Sequence, residues 1–124
     1  MLVKNFYNIL SFNASDQHLE ATLLFNPDHE VYLGHFPGQP VVPGVIQLQI
    51  VKELLEQHLE QKLLMVSMAQ AKFLMIIVPD KQVALISISY KQTDEGSFQV
   101  DASISSHQQT ATKLKAIYRL SESS

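Results

Sequence analysis

The sequence contains no cysteine. That excludes disulfides, thiolate nucleophiles and zinc–thiolate sites together, while leaving the compartment open. Charge is also sparse. Only 17% of residues are charged, and the net charge of -3 leaves no basic excess to draw the chain to nucleic acid or to an anionic membrane. No apolar run approaches a membrane span. Met1-Leu2-Val3-Lys4-Asn5 lacks the apolar centre of a signal peptide, so the cytoplasm is the expected location. Glycine-rich nucleotide motifs are missing. His18, His29, His58 and His107 are scattered without ligand spacing, so neither a nucleotide cofactor nor a metal is expected. Asp80 and Asp101 read as a turn and a sheet-surface residue rather than as catalytic carboxylates.

What is present fits one globular domain. The chain has 124 residues, 46% of them apolar, with no internal repeat and no low-complexity linker; only 121–124 reads as a frayed tail. Proline and glycine are scarce, five and four in all, yet three prolines and two glycines fall within the ten residues His35-Phe36-Pro37-Gly38-Gln39-Pro40-Val41-Val42-Pro43-Gly44. Proline fixes φ and glycine permits φ > 0, so this loop has few conformations. It carries one imidazole and points into the strongest helix signal in the chain. Pro43 suits the first turn of that helix. Projected at 100° per residue, Leu48, Ile50, Val51, Leu54, Leu55 and Leu59 share an apolar face, with Lys52, Glu53, Glu56, Gln57 and Glu60 opposite. Gln47 falls inside the apolar face, where its amide must find partners. Gln49 falls on the polar arc. Val45 and Ile46 intrude on that arc, which points to a cover other than the chain's own sheet, such as a second subunit.

Strand signals surround the helix. Residues 6–12 and 18–25 precede it, with 13–16 read as the turn between them and 29–33 as a short extended piece. Residues 63–77, 83–90, 98–105 and 110–120 follow it, broken by Pro79-Asp80-Lys81, Thr93-Asp94-Glu95-Gly96 and Ser106-His107-Gln108. Phe98, Val100, Ala102 and Ile104 alternate cleanly with polar residues. The pattern predicts an α+β architecture, an antiparallel sheet wrapped around one long helix with one face buried.

His35-Phe36-Pro37-Gly38 followed by Pro40, Pro43-Gly44-Val45 and Gln47 resembles the signature of the β-hydroxyacyl-(acyl carrier protein) dehydratases of the hotdog fold. Lys72-Phe73-Leu74 and Val78-Pro79-Asp80 are similar to later elements of that family. The resemblance implies a hotdog fold and elimination of water from a β-hydroxyacyl thioester carried on a phosphopantetheine arm, with no other cofactor. It assigns His35 as the base and the Gly44 N–H as donor to the thioester oxygen. Phe36, Pro37, Gly38, Val45, Gln47 and Phe73 would contact substrate, and Leu74, Met75, Met65 and Met68 are candidates for an acyl tunnel. The family's acid is a helix Glu; here that position is Gln49. A primary amide cannot protonate a leaving hydroxide near pH 7. Three outcomes stay open: His35 or another group supplies the proton, a polyene-forming substrate eases the elimination, or the chain binds acyl groups without turnover. A hotdog acyl thioesterase is the competing class. The implied partners are an acyl carrier protein or a coenzyme A thioester. The implied assembly is a homodimer joined sheet edge to sheet edge, with a trimer of dimers as the larger form. Lys113, Lys115 and Arg119 alternate along the last strand and would share one face toward an acidic carrier.

Overall fold

The structure, a computed structural model, describes residues 6–30, 32, 40–80 and 82–121. Six strands and one long helix follow in the order β1 (Tyr7–Ser15), β2 (His18–Phe25), α1 (Gly44–Leu59), β3 (Leu63–Phe73), β4 (Ala84–Gln92), β5 (Phe98–Ser106) and β6 (Gln109–Leu120). All pair antiparallel in one sheet of order β1-β2-β4-β5-β6-β3.

Alternation decides which face of the sheet is covered. Leu19, Ala21, Leu23 and Phe25 of β2, Ile86 and Ile88 of β4, Val100 and Ile104 of β5, and Leu114 and Tyr118 of β6 are all buried. Ala102 and Ala116 fill the places between, so buried residues recur at every second position, the two-residue period of a half-covered strand. They form one core with Ile50, Val51, Leu54 and Leu55 of α1. Burying each large aliphatic side chain contributes on the order of 1.5–3 kcal/mol. The helix ends at Glu60, whose left-handed backbone (φ 56) and N–H bond to the Glu56 carbonyl close the last turn.

Four expectations from the sequence change. β1 runs on to Ser15, and the turn is a tight one at Asp16-Gln17, with Gln17 at φ 62. The segment near His29 is a turn: the Tyr32 N–H donates to the His29 carbonyl at 3.1 Å. Ile46 packs partly against the core, while Val45 stands 72% exposed. β3 stops at Phe73 rather than running to 77, because the N–H groups of Leu74 and Met75 both turn to the Ala111 carbonyl and the chain leaves the ladder. β3 does not adjoin β4, the strand that follows it in sequence. It crosses to the far edge and pairs β6, and the segment after it passes the approach to the helix, where the Val42 N–H meets the Ile77 carbonyl. The hairpin turns after β4 and β5 stand as read. His107 and Gln108 both take positive φ between the paired residues Ser106 and Gln109. Among the described residues no helix is long and apolar enough to cross a membrane.

Candidate active site

The head of α1 opens into a cleft of about 850 Å³. One wall is the approach to the helix, from Val41 to Leu48. The other is Phe73-Leu74-Met75-Ile76, where the chain has just left β3. The walls are apolar because most of their side chains are, and some of their backbone groups are paired elsewhere. The Val42 N–H donates to the Ile77 carbonyl at 2.8 Å, and Leu74 and Met75 bond Ala111. Val42 and Ile77 are buried, which fixes the floor, whereas Phe73, Leu74 and Ile76 are about half exposed and form the mouth.

Gln47 holds the two walls in register. It is 3% exposed, and its Nε2 donates to the Val42 carbonyl at 3.0 Å. Its Oε1 accepts from the Thr112 hydroxyl of β6, itself buried. One buried amide therefore ties the loop before the helix to the sheet behind it. The partners foreseen for it exist, and they lie within the chain.

The first turn of α1 has no side-chain cap and no acidic residue. The N–H groups of Ile46 and Gln47 close on the Pro43 carbonyl, at 3.1 Å each. The N–H groups of Gly44 and Val45 find no acceptor among the described residues and point out of the positive end of the helix, at the cleft. Glycine at 44 allows close approach: a Cβ there would lie 2.9 Å from Phe73 Cζ and 3.0 Å from its Cε1. Phe73 thus packs directly on Gly44 at the side of the cleft, a contact that the absence of a side chain permits.

Gln49 lies one turn beyond Val45, half-buried and outside the cleft lining. Its Nε2 donates to Glu53 Oε2 at 3.3 Å, and the hydroxyl of Tyr7, from β1, donates to Glu53 Oε1 at 3.0 Å. An ionised carboxylate only accepts, so it is the amide nitrogen that faces Glu53 and the amide oxygen that faces away. Burial, then the Glu53 charge and hydrogen bond, push the Tyr7 phenol well above its ordinary value of 10. No local pattern singles out Tyr7, 46 residues from Glu53. Glu53 carried one faint signal, its position four residues after Gln49 on the same side of the helix.

Of the other residues singled out, His35, Phe36, Pro37 and Gly38 lie outside the described residues. Gly44, Val45, Gln47 and Phe73 meet at the cleft, joined by Leu74 and Met75, whereas Met65 and Met68 do not line it. His18 pairs with Ser89 (2.8 Å) and Glu20 (3.5 Å), His58 with Tyr90 (2.9 Å), and His107 with Asp80 (3.0 Å). No three potential metal ligands converge among the described residues. Asp80 holds a turn by accepting from the Gln82 N–H at 2.9 Å.

Comparison with known proteins agrees with this architecture. The profile of the family described as "ApeI-like: ApeI dehydratase" matches residues 11–114. No curated protein matches the sequence significantly. Among solved structures, the dehydratase heterocomplex ApeI:P from Xenorhabdus doucetiae aligns with a TM-score of 0.74 at 21% identity, covering 90% of this chain and 96% of that one. The (R)-hydratase from A. caviae involved in PHA biosynthesis aligns at 0.67 and 12% identity, covering 85% and 95%. A hypothetical thioesterase from Streptococcus pneumoniae, solved with coenzyme A, aligns at 0.66 and 13%, covering 93% and 85%. At these identities the likeness speaks for the fold, which is the hotdog fold.

Proposed function

Because the chain belongs to the ApeI-like dehydratase family, we propose that it eliminates water from β-hydroxyacyl thioesters carried by an acyl carrier protein, giving trans-2-enoyl products in fatty-acid or polyene-type synthesis. The observation that carries this reading is the uncapped head of α1, which turns the Gly44 N–H into an apolar cleft of about 850 Å³. In the proposed step the His35 imidazole takes the α-proton. The electron pair of that C–H bond forms the Cα=Cβ bond, negative charge gathers on the thioester oxygen against the Gly44 N–H, and the Cβ–O bond breaks. The acyl chain lies along Val45, Phe73 and Leu74, and the phosphopantetheine arm enters from the mouth.

The leaving hydroxyl needs a proton that Gln49 does not own. General acid catalysis is typically worth about 10²–10⁴ in rate, which corresponds to roughly 3–5 kcal/mol of barrier. Both Glu53 oxygens accept, from the Tyr7 hydroxyl and the Gln49 amide, so His35, which has taken the α-proton, is the donor in this step. A second reading follows from the same residue. An amide held by Glu53 presents its oxygen as an acceptor, which orients a water but protonates nothing. That suits an acyl thioesterase, or an acyl-binding subunit whose acid comes from another chain. A homodimer joined through β3 fits both readings. β3 is an edge strand, and Leu64, Val66 and Met68 stand about half exposed along it.

The test is incubation with a β-hydroxyacyl thioester, following enoyl absorbance and free thiol together, for the native chain, His35→Ala, Gln49→Glu and Glu53→Gln. Enoyl formation lost in His35→Ala and raised in Gln49→Glu is the expected result. Thiol release without enoyl product establishes the thioesterase instead, and neither product with retained acyl binding establishes the binding subunit.

A further inference from the structure

Two glutamines occupy the front of α1, and their partners fix each amide in one orientation. The Gln47 amide is held at both ends, by the Val42 carbonyl and the Thr112 hydroxyl. The Gln49 amide is held at one end only. Its Nε2 donates to Glu53 Oε2 at 3.3 Å, and the other Glu53 oxygen accepts from the Tyr7 hydroxyl at 3.0 Å. Gln49 Oε1 meets no partner among the described residues.

Glu53 is suited to be the fixed end of this relay. It is half-buried, pairs with no Lys or Arg among the described residues, and each of its oxygens is met by one neutral donor. A carboxylate accepts and never donates, so it tolerates only the nitrogen of a neighbouring amide. Turning the Gln49 amide over would set its oxygen against Glu53 Oε2, acceptor to acceptor. The Tyr7 hydroxyl stays a donor, because burial and then Glu53 hold its phenol above the ordinary range.

Residues four apart on a helix are neighbours, with Cβ atoms about 5–6 Å apart. Gln49 therefore stands beside Val45, along which the acyl chain lies in the proposed complex. Glu53 is one turn farther from the head of the helix, so the oxygen turned away from it is turned toward the head. We infer that Tyr7 and Glu53 are positioning residues that hold Gln49 Oε1 as an acceptor for the β-hydroxyl of the substrate, which makes the site selective for a hydroxyl over a carbonyl at Cβ. This rests on the reading of the cleft as a β-hydroxyacyl site. A β-hydroxyl donates to the amide oxygen, whereas a β-oxo group only accepts and meets it lone pair to lone pair. Donation to Gln49 also leaves the hydroxyl's lone pairs free. They accept the proton that His35 returns as the Cβ–O bond breaks, and water departs.

The experiment measures binding of two pantetheine amides of equal chain length, one β-hydroxyacyl and one β-oxoacyl, in which an N–H replaces the thioester sulfur and slows elimination. The native chain should prefer the hydroxyl ligand by about tenfold, the worth of one partly shielded hydrogen bond. In Glu53→Gln the Tyr7 hydroxyl still claims the oxygen at 53, the new amide nitrogen faces Gln49, and the Gln49 amide turns over; the preference should vanish or reverse. Tyr7→Phe, which frees Glu53 to rotate, should weaken it part-way. Gln49→Leu should abolish it, and adding Glu53→Gln to Gln49→Leu should change neither affinity, because Glu53 acts through Gln49. Glu60→Gln, at the far end of α1, should keep the native preference. A Glu53 that is merely structural would weaken both ligands alike, with or without Gln49. Equal native affinity for the two ligands, or a preference that survives Glu53→Gln, overturns the inference and leaves the dehydratase reading standing. Binding of neither ligand overturns both.

Discussion

The Gln47–Thr112 bridge yields a prediction whose size follows from the geometry. Gln47→Leu removes two buried hydrogen bonds and leaves the Val42 carbonyl and the Thr112 hydroxyl without partners in a closed interior. An orphaned buried polar group costs about 1–3 kcal/mol. The leucine recovers part of this through its own apolar burial, so the net loss should be about 3 kcal/mol, a fall in Tm on the order of 10 °C for a domain of this size. Thr112→Val, which keeps the shape, orphans only the Gln47 oxygen and should cost about 1–2 kcal/mol. In the Gln47→Leu background the same Thr112→Val change removes a hydroxyl that is already unpaired. It should then cost nothing or stabilise slightly, so the double-mutant cycle shows a coupling of about 1–2 kcal/mol. Urea unfolding of the four proteins, with m-values checked for constancy, measures this directly. Additive losses, with Thr112→Val equally costly in both backgrounds, would refute the bridge and with it the account of how the helix head is held against the sheet.

Gly44→Ala sets a methyl against the Phe73 ring. The ring is half exposed and yields, so stability should stay within about 1 kcal/mol of native; the mouth of the cleft narrows, and KM for a long-chain thioester should rise more than for a short one. Val66→Lys on the β3 edge should weaken self-association at least about tenfold in sedimentation, and an unchanged sedimentation coefficient would remove β3 as the contact. Burial, and then the charge of Glu56, push the Tyr118 phenol up to about 12. An unfolded phenol titrates near 10, so the protonated form favours the native state. The resulting stability is complete below about pH 10 and is lost as pH rises from there through 12. Because the Tyr118 hydroxyl is buried without a partner among the described residues, Tyr118→Phe should be neutral or slightly stabilising at pH 8 and should flatten the alkaline decline, as read by thermal melts across that range.

Local pattern alone determined much of this protein. The two-residue alternation of Phe98–Ile104, the helical face from Leu48 to Leu59 and the proline–glycine loop ahead of it are short-range features. Burial of one strand face or one helix stripe follows from such spacing with no knowledge of the rest of the chain. The family resemblance was legible for the same reason, since its signature is a contiguous run. Only the tertiary structure decided what depends on pairings distant in sequence. β3 crosses to the far edge, Gln47 finds Thr112, and Tyr7 finds Glu53 across 46 residues. Phe73 closes on Gly44. The physical reason is common to all of these. Periodicity fixes which side of its own element a residue occupies, and the register and order of strands, set by closure of the whole core, fix what it meets there.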